Sequence, residues 1–306
     1  MSSRVNTVVG IGELLWDMLP TGAQLGGAPA NFAYVARLLG HRAIPVSRVG
    51  NDALGDTAIC ALRERGLDVS HIQTDAEHAT GTVLVSLDSA GQPNYSIVES
   101  VAWDCLAWTP ALERLASEAG AVCFGTLAQR SDASRSTISK FLAHTRPQCL
   151  RVCDVNLRQH YYSLDLLRRL LNQTTVLKLS QDELSEVLRA AAIGPLEPVE
   201  AARRLQAQYN FELVCITRGA NGSVLASAQG VATHPGIAAS VVDTVGAGDA
   251  FAAAVTHQLL LGNSSLESIG EYANRWGAWV TSRQGAMPAF QANDIFQPPT
   301  FEVAGH

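Results

Sequence analysis

The sequence predicts an α/β protein built in three layers, a mostly parallel sheet with helices on both faces, accompanied by a small second β-sheet. Three observations lead there. β-rich and helical segments alternate through almost all of the 306 residues, the rhythm of parallel strands joined by crossover helices. The helical stretches are repeatedly stopped by a glycine, at Gly40, Gly66 and Gly262. One region alone breaks the alternation, and it carries a hairpin signature.

In chain order, 8–15 reads as a strand, 30–39 as a helix, 44–49 as a strand and 57–65 as a helix. The exception follows, with short β runs at 82–87 and 95–98 around Ser89-Ala90-Gly91-Gln92. Two strands are not stable alone. They should join a small sheet, with the segment at about 82–99 acting as a lid over a substrate or as the surface of a homodimer. Strands resume at 121–124, 150–154, 175–179 and 213–217, and a strand-like stretch at 239–242 precedes a strong helix at 250–261. Ligands of such a sheet collect at the carboxyl ends of its strands. No internal repeat, linker or low-complexity segment divides the chain, so 1–306 is expected to be one domain carrying the small sheet.

With 47% hydrophobic and 16% charged residues, the chain can bury a large core. A net charge of −6 speaks against nucleic-acid or membrane-surface partners, which need a basic face. No apolar run reaches spanning length. Glu13 and Asp17 interrupt the apolar stretch near the N-terminus, unlike a signal peptide. The cysteines 60, 105, 123, 149, 153 and 215 are scattered, and Cys149 and Cys153 lack the spacing of a zinc or redox pair. All six read as reduced packing residues of a cytoplasmic protein.

The most informative stretch is Asp243-Thr244-Val245-Gly246-Ala247-Gly248-Asp249-Ala250-Phe251. Two glycines let the backbone approach a ligand, and a helix start offers unpaired N–H groups and a positive dipole end. A carboxylate beside such an anion site, Asp249, makes sense if it faces a second, hydroxyl-bearing reactant. The pattern reads as phosphoryl transfer to an alcohol. Its bland alternative is an ordinary turn in which Asp249 stabilises the dipole. Familiar phosphate motifs are absent. Lys140 and Lys178 are the only lysines and neither follows a glycine-rich turn, which rules out a Walker A loop. There is no His-Arg-Asp or Asp-Phe-Gly of a protein kinase. The dinucleotide fingerprint fails at Leu15 and at Phe251.

A second cluster, Gln24-Leu25-Gly26-Gly27-Ala28-Pro29-Ala30-Asn31, places a glycine pair and an amide at a helix start. Asn31 can donate and accept at once, and Asp17 can hold two adjacent hydroxyls, both suited to a sugar. Alternatively Asn31 is a helix N-cap and Asp17 a loop residue.

These pieces together resemble the ribokinase-like (PfkB-type) sugar kinases, among them bacterial fructokinases, over nearly the whole chain. The matching elements are Gly12-Glu13-Leu14-Leu15-Trp16-Asp17, Gly26-Gly27-Ala28-Pro29-Ala30-Asn31, Val49-Gly50-Asn51-Asp52-Ala53-Leu54-Gly55 and Asp154-Val155-Asn156-Leu157-Arg158. Thr217-Arg218-Gly219-Ala220-Asn221-Gly222, the 243–251 stretch and Gly285-Ala286 complete the set. The resemblance implies ATP and Mg²⁺ as cofactors, with K⁺ as a monovalent cation. It implies Asp249 as catalytic base and Gly246, Ala247 and Gly248 as the anion hole. Asp17, Gly27 and Asn31 would bind the sugar, with Arg158 reaching toward sugar or phosphate. Thr217, Gly219 and Gly222 would line the nucleotide phosphates, with Asn274 near the adenine. Glu183 would order magnesium through water, and Asp243 with the carbonyls of Val280, Arg283 and Gly285 would hold the cation.

This chain departs from the family in two places. Ser180-Gln181-Asp182-Glu183 stands where many relatives have Asn-x-x-Glu, and Ala289 where some carry a hydroxyl. Fructose is the expected acceptor, giving fructose 6-phosphate. The rivals are 2-dehydro-3-deoxygluconate, disfavoured because Asn94-Tyr95-Ser96-Ile97-Val98-Glu99 carries a glutamate and no arginine, and ribose. A catalytically silent sugar-binding regulator is the alternative of another class. At a helix N-terminus Asp249 is expected to have a low pKa.

Overall fold

The computed structural model describes residues 5–20, 22–87 and 93–290. The first strands are β1 (Thr7–Ile11), β2 (Leu15–Leu19), β3 (Gly22–Gly26), β4 (Arg42–Gly50), β5 (Ile72–Asp75), β6 (Gly81–Leu87) and β7 (Pro93–Ile97). Then come β8 (Ala121–Phe124), β9 (Leu150–Asp154), β10 (Val176–Ser180), β11 (Leu213–Thr217), β12 (Ser223–Ser227) and β13 (Gly230–His234). Among the described residues nine strands form the main sheet, in the order β13-β12-β11-β10-β9-β8-β1-β4-β5. From β11 to β5 every pairing is parallel, and β12 and β13 add an antiparallel edge.

The helices pack in two layers. α1 (Ala28–Leu38), α2 (Ala53–Glu64), α8 (Ala247–Leu260) and α9 (Leu266–Thr281) share one core with Val8, Ala121 and Cys123. α3 (Pro110–Glu118), α4 (Asp132–His144), α5 (Leu164–Gln173), α6 (Leu184–Ala190) and α7 (Pro198–Tyr209) share the other with Val9, Val122 and Phe124. Neighbouring residues of one strand thus enter opposite cores, as the period of two requires, and the central strands β8, β10 and β11 are covered on both faces. This is the three-layer arrangement expected. Among the described residues no helix is long and apolar enough to cross a membrane.

The small sheet runs β3-β2-β6-β7, with β2 parallel to β6 and the other pairs antiparallel. The expected hairpin is therefore β6–β7, joined by strands 15–19 and 22–26, which the sequence did not announce. Its turn at 89–92 lies outside the described residues. At its root the Arg130 guanidinium donates to the Val98 carbonyl at 2.6 Å and pairs with Asp104 at 2.8 Å. Tyr161 donates to the Ile97 carbonyl at 3.1 Å and to Glu99 at 2.9 Å.

Three expectations need correction. The strand expected at 8–15 is two strands in two sheets, because the apolar pattern runs on through the bend at Gly12, where φ is 152°. The stretch 239–242 is not a strand. Val241 and Val242 are 67% and 60% exposed, so β-branched residues without a packing surface do not enter the sheet. The amides of Val242 and Asp243 instead bond to the carbonyl of Thr281 at the end of α9. Of the cysteines, Cys123, Cys149, Cys153 and Cys215 are buried as expected, but Cys60 is exposed and Cys105 half-buried.

Candidate active site

A cavity of about 880 Å³ opens at the carboxyl ends of β9 and β10, between the small sheet and the first turns of α1 and α8. Asp17, Gly27, Asn31, Arg158, Asp243, Gly246, Gly248 and Asp249 line it, so residues from four separate motifs meet in one place. Side chains cap α2 (Asp52), α3 (Thr109), α5 (Ser163) and α9 (Ser265). The two helices that open on the cavity begin instead at bare glycines, Gly27 and Gly246, with no side-chain cap. At α8 no side chain claims the first N–H groups, which are left for a ligand. In α1, by contrast, Pro29 has no N–H, Ala30 and Asn31 donate theirs to the Gly27 carbonyl, and the Ala28 amide bonds to Glu13. At Gly246 the backbone is left-handed with φ of 81°, and a Cβ would stand 2.7 Å from Cα of Ala286. Only glycine fits there.

Asn31 lies within the first turns of α1 rather than at its cap, and its side-chain amide donates to Asp249 at 2.8 Å. Its own oxygen is buried with no partner among the described residues. Asp249 is half-buried, and its pKa is pushed up to about 6 by burial and by the nearby Asp154 charge, against Asn31, Lys178 and Arg158. The expected low value is therefore wrong. The dipole of α8 was legible in the sequence, whereas the desolvation and the acidic neighbour arriving on β9 were not.

Three residues of the site were missed. Glu13, between β1 and β2, is 4% exposed and one of its carboxylate oxygens has no partner among the described residues. Burial, aided by the charge of Asp249, pushes its pKa up to about 7. The second and third are Lys178 of β10 and Asp154 of β9, whose buried ion pair closes at 2.9 and 3.0 Å. Lys178 follows no glycine-rich turn, but Gly248 makes room for it, since a Cβ there would come within 2.7 Å of the ammonium nitrogen. A lysine between Leu177 and Leu179 on a buried strand was the signal available. Burial raises the pKa of Asp154 despite Lys178, while burial opposes and Asp154 and Glu183 outweigh it in raising that of Lys178. Burial thus dominates at Asp154, whereas at Lys178 the surrounding carboxylates dominate.

Asp17 stands on β2, not in a loop, and burial raises its pKa with Asp243 adding to the effect against Arg158. Arg158 sits on a strained loop after β9, with Asn156 and Gln159 at φ of 43° and 48°. Glu183 holds that loop in place. One of its carboxylate oxygens accepts from the Leu157 amide and the other from the Ser180 amide, both at 2.7 Å. Ser180 and Glu183 form a reciprocal capping box, which accounts for serine in this departure from the family pattern.

Of the other expected residues, Thr217, Gly219, Gly222, Asn274, Val280, Arg283 and Gly285 lie beside the cavity rather than on it. Thr217, Gly219 and Gly222 occupy the carboxyl end of β11 and the turn after it, next to β10. Asn274 donates to Ser223 and to the Gly270 carbonyl. Asp243 accepts from the amides of Val245 and Gly285 at 3.0 Å, while Arg283 donates its amide to the carbonyl of Val280. Asp243 is thus joined to the 280–285 turn, where carbonyls and a carboxylate are oxygen donors suited to a hard cation.

The pattern of the pfkB family carbohydrate kinases matches residues 21–293. A fructokinase of Salmonella typhimurium is 33% identical, over 91% of this chain and 94% of its own. One of Klebsiella pneumoniae is 31% identical, over 94% and 97%. An uncharacterized sugar kinase of Pyrococcus horikoshii in complex with ATP superposes with a TM-score of 0.79 at 27% identity, covering 95% of this chain and 97% of that one. A fructokinase double mutant from Vibrio cholerae in fructose, ADP and potassium ion bound form gives 0.78 at 25%, over 94% and 96%.

Proposed function

Because the chain belongs to the pfkB family of carbohydrate kinases and is an ATP-dependent sugar kinase, we propose that its acceptor is D-fructose, phosphorylated on the primary hydroxyl to fructose 6-phosphate. One observation carries the chemistry: a half-buried carboxylate, Asp249, tuned to about 6, standing on an uncapped helix start and hydrogen-bonded to Asn31 in the cavity. In this reading Asp249 accepts the proton of the primary hydroxyl. A base with pKa near neutrality is ionised at pH 7 yet basic enough to take it. The amides of Gly246, Ala247 and Gly248 meet charge as it develops on the transferring phosphoryl oxygens. Asp17, Gly27, Asn31 and Arg158 hold the sugar, and the unpartnered oxygens of Asn31 and Glu13 offer it two acceptors.

Thr217, Gly219 and Gly222 would take the nucleotide phosphates and Asn274 the adenine side. A magnesium ion fits the excess of carboxylate in the cluster of Asp154, Glu183 and Asp249. Glu183 spends both oxygens on backbone amides, so it would act through water. When bound, the ion neutralises phosphate charge. Potassium would sit by Asp243 and the carbonyls of Val280, Arg283 and Gly285. The chain is read as one kinase domain, with the small sheet as the lid that excludes water.

Fructose is favoured over 2-dehydro-3-deoxygluconate by charge. Glu13, Asp17 and Asp243 line the sugar side, and the raised pKa values of Glu13 and Asp17 show that it already resists negative charge. Two curated relatives named fructokinase agree. The test is ATP consumption with fructose, ribose, tagatose, glucose and 2-dehydro-3-deoxygluconate. Fructose should give the highest kcat/KM. A higher value with any other sugar overturns the choice of acceptor, and a silent panel would indicate a sugar-binding regulator.

A further inference from the structure

Away from the cavity, donor side chains converge at the root of the small sheet. Asp75 ends β5, His78 lies just before β6, and Cys105 closes the short helical turn Ala102–Cys105 that follows β7. Cys105 Sγ stands 3.7 Å from His78 Nε2, and His78 Nδ1 stands 3.1 Å from Asp75 Oδ1. Asp75 is already engaged. Its Oδ1 also accepts from the amides of Glu77 and His78, and its Oδ2 pairs with Arg48 at 2.8 Å. The donors left to bind a ligand are therefore Sγ and Nε2. Asp75 keeps the proton on Nδ1 and turns the Nε2 lone pair toward the sulfur.

We propose that Cys105 and His78 bind a thiophilic divalent cation, zinc being the type, and that the bound ion ties together the two ends of the lid. A tetrahedral ion with bonds of about 2.3 Å to sulfur and about 2.0 Å to imidazole sets its two donors about 3.5 Å apart. The 3.7 Å separation is close to that, and a small turn of the imidazole off the line to the sulfur brings its lone pair onto the ion. On binding, sulfur and Nε2 each form a bond to the metal, the thiol proton passes to solvent, and water fills the remaining positions. Arg48 balances the charge of Asp75 and fixes the Cys105 backbone through its carbonyl at 2.8 Å. The new thiolate then offsets half the charge of the ion.

The position gives the site its consequence. Residues 78–81 lead into β6 and residues 98–105 lead out of β7, and the Ala102 amide already bonds to the Ala79 carbonyl at 2.8 Å. A metal between His78 and Cys105 adds a second tie across the same gap, restraining the lid and lowering turnover.

Titration of the whole chain with Co²⁺ alone tests this through the sulfur-to-cobalt charge-transfer absorption in the near ultraviolet. Wild type and Cys60→Ser, which removes the exposed cysteine, should each show a saturable band at one equivalent. Cys105→Ser and Cys105→Ala should lose it, and His78→Gln should weaken binding at least tenfold. Zn²⁺ should inhibit wild type but not Cys105→Ser. Either serine or alanine serves, whichever matches the wild-type melting curve. A band that persists without Cys105, that follows Cys60, that ignores His78 or that never appears overturns the proposal.

Discussion

Asn31 and Asp249, 218 residues apart, are joined by a 2.8 Å hydrogen bond that links the first turns of α1 and α8. The amide favours the ionised form of the carboxylate, so in the proposed mechanism it would act on the base as well as on the sugar. Asn31→Ala should therefore do two things. It should weaken sugar use by about 1–3 kcal/mol, and it should move the acid limb of the kcat/KM profile to higher pH. A weaker sugar affinity with an unmoved limb would confine Asn31 to sugar contact.

Asp249→Asn keeps the size of the side chain and removes the proton acceptor. We expect kcat to fall on the order of 10²–10⁴, with folding and ATP binding retained. In wild type the base is lost as pH drops through about 6, so kcat/KM should fall about tenfold per unit below that. A variant retaining more than a tenth of wild-type activity would remove Asp249 from the role of base.

Glu13 should lower stability at the pH where the enzyme works. Its folded pKa of about 7 exceeds the ordinary 4.5, so the folded state binds the proton more tightly. Stability then falls as pH rises from about 4.5 to 7, by an amount on the order of 3 kcal/mol. Glu13→Gln should raise Tm at pH 8, and the gain should vanish near pH 4, where both states are protonated. An equal gain at both pH values would trace the effect to packing.

Gly246→Ala forces a side chain onto a left-handed residue and against Ala286. The turn must shift, and with it the amides proposed to meet the phosphoryl group. Turnover should drop by at least 10²-fold while fructose affinity, read by calorimetry, changes little. Unchanged kcat would mean that the turn does not touch the reaction.

The lid provides the last measurement. Hydrogen exchange across 82–99 should slow when fructose is added without ATP, and ATP hydrolysis without sugar should be very slow. Exchange that ignores saturating fructose would make the small sheet a fixed surface, where a second subunit could pair.

What the sequence disclosed follows from where the information resides. Strands 121–124, 150–154 and 213–217 were legible because apolar residues fill both faces of a buried parallel strand. Val241 and Val242 misled because β-propensity is silent about whether a packing surface exists. In the site, Asn31 and Asp249 stood out beside glycines whose conformation has a local meaning, and Asp17 as a carboxylate interrupting an apolar run. Glu13, Asp154 and Lys178 did not, since each acquires its role from groups on other strands. The same holds for the raised pKa of Asp249.

The bare glycine starts of α1 and α8 have a consequence for how the cavity can be disturbed. Part of the positive potential there comes from peptide groups locked in two helices, each contributing roughly half a charge, beside the side chains of Arg158 and Lys178. Peptide amides do not titrate in the biological range and offer no amine to an acylating agent. Of the two lysines, Lys140 is exposed on α4 and Lys178 is sealed against Asp154. Surface acetylation can thus reach Lys140 and still leave the field on the phosphoryl group as it was. In the proposed site, that part of the attraction for phosphate is written into the backbone, beyond the reach of most chemistry that rewrites side chains.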